Sequence, residues 1–210
     1  MAQRGRPVTL SDDDLLATAR DVFLQRGLDA TTSEIAKRVR ISESVIFHRY
    51  KTKEALMLAV LEREMVVPPE VAGLPALVGK GEIADHLFQM GMALIEMMKT
   101  VHPLLMMAFS SPMRLNELHD RVSRAHPLVR MVKLFTGYFE AESRLGRLRP
   151  VDAEILARTF LGSVKEFTVS QFFEHIAEAL PMAPATYLRG MINLLLEGAK
   201  GGSEARRARR

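Results

Sequence analysis

Residues 31–53 read TTSEIAKRVRISESVIFHRYKTK, and this run decides the fold. Thr31 followed three positions later by Glu34 is a capping box, a hydroxyl and a carboxylate spaced to satisfy the unpaired amides of a helix start. Ile35, Ala36 and Val39 recur at helical spacing as one inner face, so a helix of about two turns opens here. Arg40 and Ile41 leave room only for a tight connection. Ser42, an N-cap residue type, then begins a second short helix from Glu43 to about Tyr50, with Val45, Ile46 and Phe47 expected near a shared core. Two short helices joined this closely predict a helix-turn-helix.

The flanks read the same way. From Asp12 to Arg26, residues Leu15, Leu16, Ala19, Val22 and Phe23 form one stripe, and Asp12, Asp13 and Asp14 sit in the first turn, where negative charge is favoured. Gly27 can end that helix in a left-handed conformation. A further helix from Lys53 to about Met65 carries Glu54 at its start and Leu56, Val60 and Leu61 inward. The proline- and glycine-rich run MVVPPEVAGLPALVGKG, residues 65–81, is the best boundary in the chain. Strong strand alternation is missing, so the expected fold is all-α. Its parts are an amino-terminal domain over residues 1–64, a linker over 65–81, a larger helical domain over 82–198 and a basic tail over 199–210.

The second helix of the pair has the size to enter a major groove, and helix amino-terminal amides, hydroxyls and cations hold phosphate. Thr32, Ser42, Ser44, His48, Arg49, Lys51 and Lys53 supply such groups within a short span. Chemistry alone leaves a solvated helical surface and a DNA face as equal alternatives. The segments FLQRGLDATTSEIA and ISESVIFHRYKTKEALMLAV are more specific. Together with their surroundings from Gly5 to Glu64, they resemble the DNA-binding domain of the TetR family of transcriptional regulators.

That resemblance implies a homodimer binding a near-palindromic operator in double-stranded DNA, with a carboxy-terminal domain that senses a small molecule. It implies a phosphate contact at Thr32, a recognition-helix start at Ser42, Glu43 and Ser44, and base or backbone contacts at Val45. Phe47 falls where an aromatic hydroxyl meets phosphate, His48 and Arg49 where side chains enter the groove, and Lys53 where a lysine binds phosphate. The chain departs from the pattern twice: Val45 stands where threonine is common and Phe47 where tyrosine is common, so two expected hydroxyls are absent. Contact from Val45 to a thymine methyl can partly substitute. Arg4 and Arg6 fit an arm that follows the backbone, and the Lys53 to Met65 helix fits a link between reader and sensor.

Beyond Gly81, Ile83, Leu87, Met90, Leu94, Met97 or Met98, and Val101 trace a stripe that Phe88, Met92 and Ile95 broaden, as in a largely buried helix. Seven of the 13 methionines lie from Met90 through Met113. Their flexible thioethers either fill irregular core space or line an adaptable apolar cavity. Met97, Met98, Met106, Met107 and Phe109 are therefore candidate effector contacts. Further helices are expected from Leu128 to about Leu145, from Asp152 to about His175, and from Pro184 to Gly198. Phe135, Tyr138 and Phe167 on the first two are either core aromatics or further effector contacts. The resemblance assigns the last two helices to a dimer interface, where Gly162 and Ser163 permit close approach.

Composition narrows the function by exclusion. The 210 residues contain no cysteine, which removes disulfides, thiol nucleophiles and Cys-ligated zinc and is consistent with a cytoplasmic location. The start lacks the apolar run of a signal peptide, and the longest uncharged stretch, Val101 to Met113, is too short to span a bilayer, so no membrane association is expected. Six histidines and many carboxylates are not organised into a nucleophile elbow, phosphate loop or zinc motif, so neither an enzyme nor a cofactor is expected. His119 and His126 lack a clear third metal ligand. The net charge of +4 resides entirely in residues 198–210, which carry five basic side chains and one acidic one. DNA binding by the balanced remainder must therefore use a small, shaped surface rather than a diffuse positive field. The contrasting reading is a helical protein-interaction module without sequence-specific DNA binding.

Overall fold

The computed structural model describes residues 11–110 and 127–198, and every element in them is helical. The amino-terminal arm with Arg4 and Arg6, the His119 and His126 pair and the basic tail lie outside the described residues. Two compact units are present: residues 11–66 with 99–110, and residues 67–98 with 127–198.

The first unit contains α1 (Asp12–Arg26), α2 (Thr32–Val39), α3 (Glu43–Tyr50) and α4 (Lys53–Glu64). The hydroxyl of Ser11 caps α1 by accepting from the Asp14 amide at 3.0 Å. Gly27 ends the helix at φ +59°, a region that side-chain-bearing residues rarely adopt, and returns its N–H to the Phe23 carbonyl. α1 buries Leu15, Ala19, Val22 and Phe23 and packs against α2 and α4. Ile35 and Ala36 face it from α2, and Leu56, Val60 and Leu61 are the buried positions of α4.

The turn of the helix-turn-helix is built locally. Thr31 accepts from the Glu34 amide at 3.1 Å, as its spacing predicts. At the other end Arg40 takes the left-handed conformation, φ 57° and ψ 44°, and Ile41 donates to the Ala36 carbonyl at 3.0 Å. Ser42 occupies the N-cap of α3, but its hydroxyl pairs with that of Ser44 at 2.8 Å instead of capping an amide. α4 has a cap that sequence reading passed over: Thr52 accepts from the Ala55 amide at 3.0 Å.

In the second unit, α5 (Pro69–Ala72) and a 3-10 turn (Leu74–Leu77) lead to α6 (Ile83–Ser110), of which residues 83–98 belong to this unit and 99–110 to the first. α7 (Leu128–Arg144), α8 (Ala153–Ser170), α9 (Glu174–Ala179) and α10 (Pro184–Glu197) follow. The core joins Leu87, Met90, Leu94 and Ile95 of α6 to Phe135, Tyr138 and Phe139 of α7, Phe160 and Val164 of α8, and Leu188 and Ile192 of α10. Gly91 permits the α6 and α10 approach, since a Cβ there would lie 2.7 Å from Leu188 Cδ2.

Two expectations change here. The uncharged run starting at Val101 belongs to the 28-residue α6, the one described helix long and apolar enough by length and composition to cross a membrane. Its Leu87 to Ile95 stripe is covered by protein. The helix expected to reach His175 stops at Ser170. Thr168 and Ser170 turn their hydroxyls onto the Val164 and Phe167 carbonyls, both at 2.8 Å, and the amides of residues 171–173 tighten onto carbonyls three residues back.

A polar network runs through the second core. The Glu142 carboxylate, 0% exposed, accepts from the Gly79 amide at 3.0 Å and lies 3.3 Å from Arg147 Nε. Arg147 donates to the Lys80 and Gly81 carbonyls. His86 Nδ1 lies 2.8 Å from the Tyr138 hydroxyl, also buried. Together these contacts pin the 79–81 loop to the end of α7.

Candidate nucleic-acid interface

α3 is anchored by one side chain and exposes the rest. Ile46 is 1% exposed and is the buried residue of the helix, while Phe47, expected near the core, is 41% exposed. Phe47 follows Ile46 by one residue and is therefore turned about 100° around the helix from the face that Ile46 buries. Val45 is half-buried, so Ser44, Phe47, His48 and Arg49 form the exposed surface.

The predicted DNA contacts are brought into one small domain, and most are already engaged. Thr32 is buried, and its hydroxyl donates to the Glu43 carboxylate at 2.5 Å, tying the start of α2 to the start of α3. Lys53 donates to the Leu28 carbonyl at 2.8 Å, which leaves two ammonium protons for other acceptors. Lys51 donates to the His48 carbonyl at 3.0 Å. The Arg49 guanidinium meets Asp12 with Nη1 2.6 Å from Oδ1.

Asp12 is the participant that sequence reading missed. The three aspartates that open α1 suit the helix dipole, and in the fold each also has its own partner. Asp12 pairs with Arg49, Asp13 with Arg63 Nε at 2.7 Å, and Asp14 with the Ser11 hydroxyl at 2.6 Å. The Arg63 hydrogen bond, then its charge, holds the Asp13 carboxyl below the ordinary aspartate value. Burial, followed by the charge of Asp12, pushes the Tyr50 hydroxyl above its usual value. No local sequence signal reveals the Asp12 to Arg49 pair, because the residues are 37 positions apart.

The candidate effector residues divide between the units. Met97, Met98, Phe135, Tyr138 and Phe167 belong to the second, where the three aromatics are buried and the two methionines half-buried. Met106, Met107 and Phe109 belong to the first, with Met106 and Phe109 exposed. Phe167 stacks on Tyr187 with ring centroids 4.3 Å apart, and Phe135 packs on Phe160 at 5.1 Å. Among the described residues no group of three or more histidines and carboxylates could hold a metal ion.

Residues 15–60 match the family described as bacterial regulatory proteins, tetR family. No curated protein sequence matches the chain. Among solved structures, the TetR-family regulator PfmR of Thermus thermophilus is 16% identical at a TM-score of 0.60, over 89% of this chain and 99% of that one. A TetR/AcrR-family regulator of Thermobifida fusca is 16% identical at a TM-score of 0.64, over 90% and 98%. FadR of Bacillus subtilis, solved in complex with stearoyl-CoA, is 15% identical at a TM-score of 0.62, over 89% and 98%. At such identities the solved structures establish the fold alone. The family match is confined to residues 15–60, within α1 to α4, and there the chain is similar to the bacterial regulatory proteins of the tetR family.

Proposed function

We propose that the protein is a repressor that binds a near-palindromic operator as a homodimer and is released by a small, largely apolar effector. The observation that carries the reading is the presentation of α3: Ile46 fixes it to the core while Ser44, Phe47, His48 and Arg49 project together. Such a helix offers hydroxyl, apolar and cationic groups to base edges, with Lys53 and Thr32 beside it for the backbone.

Dimerisation is supported by apolar side chains left uncovered on α8 and α10, where Ile155 is 60% and Leu194 56% exposed. A Cβ at Gly162 or Gly190 would meet nothing within 4 Å, so another surface can approach closely at both. The effector class is supported by the aromatic and methionine side chains in the core of the second unit, and by the stearoyl-CoA held in FadR, which shares the fold. Release on effector binding requires two conformations with unequal effector affinity.

Selection of bound sequences from a random duplex library tests the reader. A screen of small apolar compounds for release from the recovered operator then tests the sensor. A palindrome enriched at moderate salt and a compound that lowers its affinity are the expected results. Recovery of no preferred sequence would remove the operator proposal, and recovery without any compound response would remove the effector proposal.

A further inference from the structure

The acidic turn that opens α1 lies beside the recognition helix, where a polyanion is to bind. Negative charge there opposes DNA binding unless it is compensated. Asp13 and Asp14 are occupied by Arg63 and Ser11, so Asp12 is the carboxylate directed at α3. It lies 2.6 Å from Arg49 Nη1, and its charge is also felt by Tyr50, the next residue on α3. A carboxylate and a phosphate present the same kind of anionic oxygen acceptors to a guanidinium.

We propose that Asp12 is an autoinhibitory contact for DNA binding, an internal stand-in for a backbone phosphate that Arg49 exchanges for DNA. The inference rests on α3 being the reading helix. Without DNA, Asp12 holds the guanidinium in place and neutralises it. On any duplex Arg49 gives up this carboxylate for a phosphate or a base edge, and the released Asp12 then faces the phosphates as a like charge. Asp12 thus lowers the affinity for operator and random duplex alike, and the preference for the operator stays with the base-edge contacts of α3.

The test compares the full-length chain with Asp12→Asn and Asp13→Asn on the selected operator and on a scrambled duplex at one moderate salt concentration. The two variants change net charge equally, but only the first frees Arg49. Asp12→Asn is expected to tighten binding to both duplexes by roughly three- to fivefold, the fold-change of a surface ion pair. Asp13→Asn should change either by less than about twofold. In an Arg49→Ala background, Asp12→Asn should lose its excess over Asp13→Asn. Equal effects of the two substitutions in the parent chain, or an excess that survives Arg49→Ala, overturn the inference while leaving operator binding standing. A wild-type chain with no sequence preference removes the reading-helix assignment and this inference together.

Discussion

The Thr32 hydroxyl donates to the Glu43 carboxylate at 2.5 Å and so joins the first residue of α2 to the first of α3. Thr32 is buried and Glu43 half-buried, so the bond fixes the mutual angle of the helix pair at the end proposed to meet DNA. A hydroxyl has one proton to donate, and a phosphate contact by Thr32 requires it to leave Glu43.

This bond is expected to be worth about 1.5–3 kcal/mol, the range for a hydrogen bond to a charged group. Thr32→Val keeps the shape and loses the donor, so the urea midpoint should fall with an unchanged slope. Glu43→Gln keeps an acceptor and should cost less. In the double variant the two losses should not add, because each removes the same contact. Additive losses would show that the pair is not coupled.

Lys53 and Arg49 should fail differently. Lys53 sits on the Leu28 carbonyl and can offer its remaining protons to a phosphate without entering the groove. Lys53→Ala is therefore expected to weaken operator and scrambled duplexes by the same factor and to reduce the salt slope by about 0.9. Arg49, on the last turn of α3, should change the preferred sequence as well as the affinity when replaced by alanine. Unaltered affinity in both variants, measured by duplex titration, would remove these residues from the interface.

The Tyr138 hydroxyl is pushed well above its ordinary value of 10.0, first by burial, then by the Glu142 charge. The folded chain therefore keeps this proton to a higher pH than the unfolded chain does. Above pH 10 unfolding releases it, so stability present below that pH is lost as pH rises. One such group gives a slope approaching about 1.4 kcal/mol per pH unit. Denaturant melts between pH 9 and 11 should show a shallower alkaline fall for Tyr138→Phe than for the parent, and the phenolate absorbance of the folded parent should lag that of the unfolded chain. Identical slopes would place Tyr138 outside the titration.

Glu142 anchors the 79–81 loop from a fully buried position. Glu142→Ala removes the acceptor of the Gly79 amide and leaves the Arg147 side chain without its carboxylate, so a loss of about 3–5 kcal/mol is expected. Arg147 is half-buried, so its own truncation should cost less. Thermal or urea unfolding of the two variants gives the order directly. The reverse order would mean that the loop is held mainly by the Arg147 contacts to the Lys80 and Gly81 carbonyls.

What the sequence disclosed is what short-range chemistry controls. Thr31, Gly27 and Asp152 act within a few residues of themselves, and each terminates or starts its helix where its residue type predicts. The all-α fold and the helix-turn-helix follow from such signals. The site was less legible because its contacts cross the domain: Arg49 to Asp12, Lys53 to Leu28 and Thr32 to Glu43 depend on how α1, α2 and α3 pack. Phe47 shows the limit of reading by residue type, since an apolar side chain on a short helix need not be inward once Ile46 has taken the inward position. The break after Ser170 was hidden because hydroxyls returning to the backbone leave the apolar spacing intact.

The proposed dimer face makes the last prediction. Leu194 is 56% exposed on α10, and its replacement by arginine should leave the folded monomer within about 0.5 kcal/mol, as for surface positions generally. Placed opposite a second copy, the same charge would be desolvated without a partner, which costs several kcal/mol. Leu194→Arg should therefore lower the solution mass from twice 23.5 kDa toward one chain. The circular dichroism spectrum should stay unchanged. Operator affinity should fall steeply with it, because two reading heads bound independently lose the effective concentration that their linkage provides. A dimer that persists, with operator binding intact, would place the interface elsewhere than on α10.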